Sequence, residues 1–375
     1  MHIGIDARMY SSKFTGIGRY NFELIQHLKK IDHKNQYSIF LNDPEFEIFE
    51  DNAQFQKVRV NAKHYSLAEQ ITFLKKIYEV KPDLMHFTHF NNPIFYLRPQ
   101  VVTIHDLTLS FYPGKKMTSV LHRIGYNLSV RSVLAKAKKI IAVSKNTKKD
   151  VMDLFHVPEE KIQVIYEGAS DKFSHHASEV DLETTKKKFS ITKPFLLYTG
   201  VWRDHKNVVG LIRAFHSVRE IYNLDIELVI TGKPDPVYHE VLDTIDTLKL
   251  KKHVKCVGLV SEKDLTSLYQ SAALYVFPSF YEGFGIPPLE AFAAGLPVVC
   301  SNTSSLPEIC GEGNAVFFDP NNVQDMAEKI ADTLQDTALQ KNLIQRGFER
   351  LRIFSWEEMA RETLNIYKSA LNKHL

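Results

Sequence analysis

The sequence predicts an α/β protein made of two consecutive parallel, doubly wound halves. Three observations carry that prediction. Short apolar runs alternate with longer helical patterns along the chain, as βαβ units require. Around residues 170–192 the apolar periodicity fades and charge dominates, which reads as a linker between two such series. The length of 375 residues exceeds what one hydrophobic core commonly fills, so two domains are expected.

Each element follows in order. Met1-His2-Ile3-Gly4-Ile5-Asp6 is a strand rather than a secretory leader. Tyr20, Leu24 and Leu28 recur every four residues and give the next segment the apolar stripe of a helix. Strands of the first series are expected at 2–6, 37–41, 57–60, 84–87, 101–105, 140–144 and 163–166. The second series reads at 195–200, 226–232, 254–258, 274–277, 298–301 and 316–318. Helical patterns follow at 322–335 and 339–351, and a last helix at 356–375 starts on a capping box of Ser355 and Glu358. Open α/β sheets bind ligands beyond the carboxyl ends of their strands, so two such domains can line a shared cleft.

Composition excludes several classes. At 44% hydrophobic and 24% charged residues the chain is an ordinary globular one. Cys256, Cys300 and Cys310 show no C-x-x-C spacing, which fits a reducing cytosol and argues against a disulfide scaffold or zinc knuckle. No apolar run reaches the roughly 18–20 residues of a spanning helix. The expected location is therefore cytoplasmic, or peripheral on the inner membrane face. Net charge is only +3, yet residues 114–149 contain ten Lys and Arg and no Asp or Glu. Val120, Leu121, Ile124, Leu128, Val133 and Leu134 are interleaved there near helical spacing. Two readings stay open: a basic amphipathic segment for an anionic membrane surface, or a helix packed on a sheet with a solvated basic face. No nucleic-acid partner is expected.

The most informative stretch is P-S-F-Y-E-G-F-G-I-P-P-L-E at 278–290. An apolar strand runs into a glycine-bearing loop that opens a short helix. A helix N-terminus offers unpaired N–H groups and partial positive charge. Gly283 and Gly285 allow close approach to the backbone. Pro287 or Pro288 suits the first helical position, and Gly295 with Pro297 suits the end. Glu282 sits in the loop and Glu290 in the first helical turn. Carboxylates do not bind phosphate, so their partners are hydroxyl groups. A ligand with central phosphates and polyols at both ends is a nucleotide sugar. The plain alternative is a generic strand–loop–helix unit whose acids merely suit the helix dipole.

The full string resembles the E-x7-E motif of the retaining family 4 glycosyltransferases, with Glu282 and Glu290 as the two acids. The A-F-A-A-G-L-P-V-V run at 291–299 is similar to the family as well, and the resemblance extends over nearly the whole chain. It implies the GT-B fold, in which two Rossmann-like domains face a central cleft. The N-terminal, acceptor-side domain would comprise 1–170 and the returning helix at about 356–375. The nucleotide-sugar domain would comprise about 190–355.

Other motifs take roles from the same resemblance. In K-F-T-G-I-G-R-Y at 13–20, Gly16 matches a glycine that touches the donor diphosphate from the N-terminal side. Arg19 either reaches a phosphate or faces solvent. Asn21 breaks any G-x-G-x-x-G, so a dinucleotide fingerprint is not supported. V-V-T-I-H-D-L at 101–107 ends a strand on His105, similar to a family histidine that contacts the donor sugar. The alternative is a structural histidine. Asp106 either orients His105 or bonds N–H groups of the next loop. L-Y-T-G-V-W-R-D-H-K-N at 197–207 resembles the loop with a basic pair for the diphosphate. Lys206 is the match. Many members carry Arg directly after the glycine, where this chain has Val201; Arg203 is either the second cation or a solvated loop charge. V-G-L-V-S-E-K-D-L at 257–265 resembles the family's turn before a helix, which implies that the backbone of Leu259 and Val260 faces the nucleobase. S-S-L-P-E at 304–308 is a loop beside the ribose or only a loop. Segments 65–70 and 83–93 are similar to the mannosyltransferase-like branch. They line the acceptor side, or form a strand and turn with structural histidines.

The resemblance implies a hexosyltransferase with His105, Glu282, Lys206 and Arg203 as catalytic residues. Gly16, Gly283, Phe284, Gly285, Ile286, Glu290 and Val260 would bind the donor. No D-x-D triplet occurs, and His86 and His89 lack a companion acid or thiol motif, so no metal or other cofactor is expected. The branch implies mannose from GDP-mannose, with UDP-glucose, UDP-galactose and UDP-GlcNAc open. The acceptor would be lipid-linked or a growing glycan. A sugar-nucleotide epimerase and a non-catalytic scaffold of glycan assembly are the rivals.

Overall fold

A computed structural model describes residues 1–10, 16–64, 66, 68–115, 120–169, 171–174 and 177–371. Among them, thirteen strands form two parallel sheets. The first contains β1 (His2–Asp6), β2 (Gln36–Leu41), β3 (Phe55–Arg59), β4 (Leu84–Phe87), β5 (Gln100–Ile104), β6 (Lys139–Ala142) and β7 (Ile162–Val164), in the order β3-β2-β1-β4-β5-β6-β7. The second contains β8 (Phe195–Thr199), β9 (Glu227–Thr231), β10 (Val254–Gly258), β11 (Leu274–Phe277), β12 (Val298–Ser301) and β13 (Val316–Phe318), in the order β10-β9-β8-β11-β12-β13. Every residue of β5, β8, β9, β11 and β12 is buried, as parallel strands covered on both faces demand. The observed bounds lie within two residues of those expected.

The chain divides into two compact units. One comprises Met1–Leu107, Met117–Gly168 and Ser355–Leu375; the other comprises Thr108–Lys116 and Ala169–Phe354. The final helix, Trp356–Ala370, belongs to the first unit and packs on the helix Gly16–Ile31 and on β5 and β6. Ser355 accepts the Glu358 N–H at its start, as the capping box predicts.

Three regions differ from the sequence reading. The supposed linker contains a turn, Asp171–Ser174, and a helix, Glu179–Lys188, packed on the helix Glu262–Ser271. Its ends stabilise it: Ser178 accepts the Asp181 N–H, acids occupy the first turn and lysines the last. It has no apolar stripe, so periodicity misses it. The segment Thr108–Lys116 belongs to the second unit, where Phe111 lies against Tyr281 (4.9 Å between centroids) and Tyr112 stacks on Phe280 (6.1 Å).

The basic stretch, finally, is several elements rather than one. Lys115 bonds to Glu240 of the second unit, Lys148 pairs with Glu159 at 2.9 Å, and Lys116 lies outside the described residues. In the helix Val120–Lys136, Val130, Val133 and Leu134 are buried, whereas Ile124 and Leu128 are 50% and 62% exposed. The buried Val130, Val133 and Leu134 beside exposed Arg123 and Arg131 fit the reading of a packed helix with a basic outer face.

Candidate functional site

In the second sheet the chain leaves β8 toward β9 but leaves β11 toward β12. The connections after these two neighbouring strands run to opposite sides of the sheet, which makes this the switch point beyond which open α/β sheets bind ligands. Lys206, after β8, and Glu282, after β11, meet in this unit: Nζ donates to Oε1 at 2.6 Å. Their side chains are 16% and 13% exposed. They are sheltered enough to hold a fixed geometry and open enough to exchange partners.

The following loop braces Glu282. Its N–H donates to Ser304 Oγ at 2.9 Å. Ser305 Oγ donates to the carbonyls of Glu282 (3.0 Å) and Phe284 (2.7 Å), and Thr303 Oγ1 donates to that of Phe280 (3.0 Å). The S-S-L-P-E segment therefore supports the Glu282 loop. Gly285 closes the loop at φ 108°, where an added Cβ would also lie 2.9 Å from Leu306.

The helix Ile286–Ala293 begins on Ile286, not on a proline. Pro287 and Pro288 follow it, so two of the first four helical positions carry no N–H. Ile286 and Leu289 retain theirs. Glu290 consequently falls in the second turn, a correction to the expected first-turn position. The dipole does not account for it there. A buried hydroxyl chain does: Tyr269 donates to Glu290 Oε2 at 3.0 Å, and Thr199 Oγ1 bonds to Tyr269 (3.0 Å) and Tyr275 (2.8 Å). Burial pushes both phenols well above their usual pKa, so they stay neutral donors. The helix ends as expected. Gly295 (φ 70°) donates to Phe292 O and Leu296 to Ala291 O, the two bonds of a Schellman cap.

The remaining second-unit residues lie at the same carboxyl edge. Val260 is half-buried, two residues past Gly258 (φ 69°), and Ser261 caps the next helix by accepting the Asp264 N–H at 3.1 Å. Arg203 is exposed, opens the turn Asp204–Lys206 and borders a neighbouring cavity.

The first sheet has its own reversal, between β1 and β4. Gly16 opens the helix Gly16–Ile31, exposed, with open space where a side chain would stand. Residues 13–15 of its motif lie outside the described residues. His105 follows β5 and is 8% exposed. Its Nδ1 bonds to Glu167 Oε1 and its Nε2 to the Thr88 carbonyl, both at 2.9 Å. Each ring nitrogen thus faces an acceptor within this unit. A sugar hydroxyl would have to exchange with Thr88 O.

Sequence reasoning missed Glu167, which stands 62 residues from His105, and also missed Arg8. The Arg8 guanidinium is fully buried between Asp6 (2.8 Å) and Glu69 (2.7 Å), 4.0 Å from the centre of the Phe73 ring. Asn91 Nδ2 donates to the same Glu69 at 2.6 Å. Segments 65–70 and 83–93 do converge, although Tyr65 and Leu67 lie outside the described residues. His86 is structural: it bonds to Tyr367 (2.7 Å) and Thr103 (2.8 Å), and burial pushes its pKa down to about 3. Among the described residues, no group of three or more His, Cys, Asp or Glu is placed to hold a metal. No described helix is long and apolar enough to cross a membrane.

The chain is similar to known proteins over most of its length. Residues 181–350 match the family model of glycosyl transferases group 1, and residues 14–172 that of glycosyltransferase family 4. The O-antigen chain mannosyltransferase B of Escherichia coli is 28% identical over 370 residues, covering 94% of this chain and 96% of its own. An uncharacterized glycosyltransferase of Methanocaldococcus jannaschii is 30% identical over 295 residues, covering 77% and 74%. The sucrose-phosphate synthase structure from Thermosynechococcus elongatus superposes with a TM-score of 0.78 over the full length of both chains, at 18% identity. The fold is GT-B.

Proposed function

The chain belongs to the family 4 glycosyltransferases, in their mannosyltransferase-like branch, and we propose that it transfers mannose from GDP-mannose, with retention of configuration, to a lipid-linked or growing glycan. The observation that carries this reading is the Lys206–Glu282 pair, with Glu290 on the helix that follows, at the carboxyl edge of one sheet. Cation and carboxylate in contact suit a ligand in which phosphate adjoins sugar hydroxyls. The mannosyltransferase named among the relatives supports the sugar.

In the proposed reaction the acceptor oxygen bonds to the anomeric carbon on the face that the diphosphate leaves. The bond from that carbon to the phosphate oxygen breaks, and the acceptor proton passes to the departing diphosphate. Lys206, Arg203 and the amides around Gly283, Phe284, Gly285 and Ile286 take up the developing charge. Glu282 accepts sugar hydroxyls as Lys206 turns to the phosphate, and Glu290 accepts ribose hydroxyls. The backbone at Val260 meets the base. For Gly16 and His105, in the first unit, the family resemblance supports roles toward the diphosphate and the sugar. These groups do the work of a divalent ion, so excess EDTA leaves activity intact. The exposed Ile124 and Leu128, beside Arg123 and Arg131, support peripheral contact with an anionic membrane surface on the cytoplasmic side. Salt-reversible binding to anionic liposomes checks that contact.

A donor panel tests the proposal. GDP-mannose should give acceptor-dependent nucleotide release and a thermal shift, whereas UDP-glucose, UDP-galactose and UDP-GlcNAc should give neither. Turnover of a UDP-sugar without acceptor would point to an epimerase instead.

A further inference from the structure

The second unit contains a cavity of about 530 Å³ that shares Arg203 with the proposed donor site and none of its other named residues. It lies between the helices Val208–Glu220 and Glu240–Thr247, and its size falls within the range of roughly 300–1,000 Å³ typical of small-molecule sites. We propose that this cavity is a carbohydrate subsite that takes the part of the acceptor glycan remote from the reacting hydroxyl. The proposal rests on the glycosyl-transfer reading of the neighbouring site.

Three features select the ligand class. First, the aromatic residues Tyr238 and Phe280 line it together with Arg213, Asp243 and Thr247. A pyranose has the matching surface: a C–H face for a ring and hydroxyls at its rim for carboxylate and guanidinium. Second, the charges are mixed. Arg203 and Arg213 stand against Asp204, Asp243 and Glu240, and Glu240 is already paired with Lys115. The carboxylates disfavour a diphosphate, and an apolar tail would leave these polar groups without partners. A neutral polyol suffers neither cost. Third, the cavity adjoins the donor site through the backbone. The Phe280 N–H donates to His205 O at 2.8 Å and joins the two loops that carry Glu282 and Lys206. Phe280 faces the cavity only two residues before Glu282. A glycan whose end reacts beside Glu282 can run over Phe280 into it. Tyr238 is fixed in advance, with Lys115 Nζ 5.4 Å from its ring centre and its hydroxyl against Gly114.

The test measures binding without turnover, so it does not depend on the donor. Linear α-linked mannotetraose and free mannose are titrated onto the full-length chain by saturation-transfer NMR, and GDP is titrated separately. Thr247 and Arg213 are exposed, so Thr247→Trp, which fills the cavity, and Arg213→Ala should both fold. The tetraose should bind the parent chain at least fivefold tighter than mannose. Thr247→Trp should remove that preference, Arg213→Ala should reduce it, and GDP affinity should stay unchanged in both. Equal tetraose binding by the parent and Thr247→Trp, or no preference for the tetraose in the parent, would overturn the assignment. Tetraose binding without any mannosyl transfer would retain the subsite and sink the donor reading instead.

Discussion

Glu290 is oriented before any ligand arrives, because Tyr269 and, through it, Thr199 already hold its carboxylate in a buried network. If it accepts ribose hydroxyls, Glu290→Ala leaves them unpaired. Losing a charge-assisted hydrogen bond costs roughly 1.5–3 kcal/mol, so GDP affinity should fall about tenfold or more in calorimetry, and Tyr269→Phe should give a smaller loss. Unchanged affinity in a folded Glu290→Ala variant would remove the residue from the site. The places of Lys206, Glu282 and His105 after apolar strands, and of Glu290 on the helix that follows, were legible in the sequence. Their supports were not. Tyr269, Tyr275 and Glu167 are separated in sequence from the groups they hold, and only the sheet order brings them together. Glu290 lies one or two positions later in the helix than the sequence reading placed it, because Ile286 and not a proline occupies the first helical position.

At the scale of elements, the returning helix Trp356–Ala370 completes the first unit at two points. One is Gly168, where an added methyl would lie 2.4 Å from the Trp356 backbone nitrogen. Gly168→Ala should therefore destabilise the chain by about 1–3 kcal/mol, the usual cost of overpacking, seen as a lower urea midpoint. A midpoint equal to the parent's would show that the helix yields easily. The other is the buried His86–Tyr367 bond. His86 has a pKa near 3 when folded, against an ordinary value of 6.5, because burial disfavours its charge. Below pH 6.5 the unfolded chain takes up a proton that the folded chain refuses, so stability present above 6.5 is lost as pH falls toward 3. One such proton contributes a slope of up to about 1.4 kcal/mol per pH unit. Between pH 6.5 and 5, above the carboxylate range, unfolding free energy should fall less steeply for His86→Asn than for the parent. Parallel curves would contradict this account. The strands were readable because each is a short apolar run. The helix Glu179–Lys188 was not, since end caps and a neighbouring helix hold it without an apolar stripe.

Over the whole molecule, one rule of topology recurs twice: each parallel sheet reverses its strand order once, and candidate groups collect beyond the carboxyl ends there. The sequence announced both sheets through their alternation of strands and helices. It gave no sign that Thr108–Lys116 joins the second unit, because aromatic contacts of Phe111 and Tyr112 decide that placement. The central claim is the proposed retaining transfer of mannose by the site that holds Lys206, Glu282 and Glu290. Its most direct test is NMR of the anomeric carbon in the product formed from GDP-mannose and an α-mannoside acceptor. The account predicts one new α-mannosidic signal for each GDP released, with both lost in Glu282→Ala. A β-configured product, or product from a UDP-sugar alone, would contradict it.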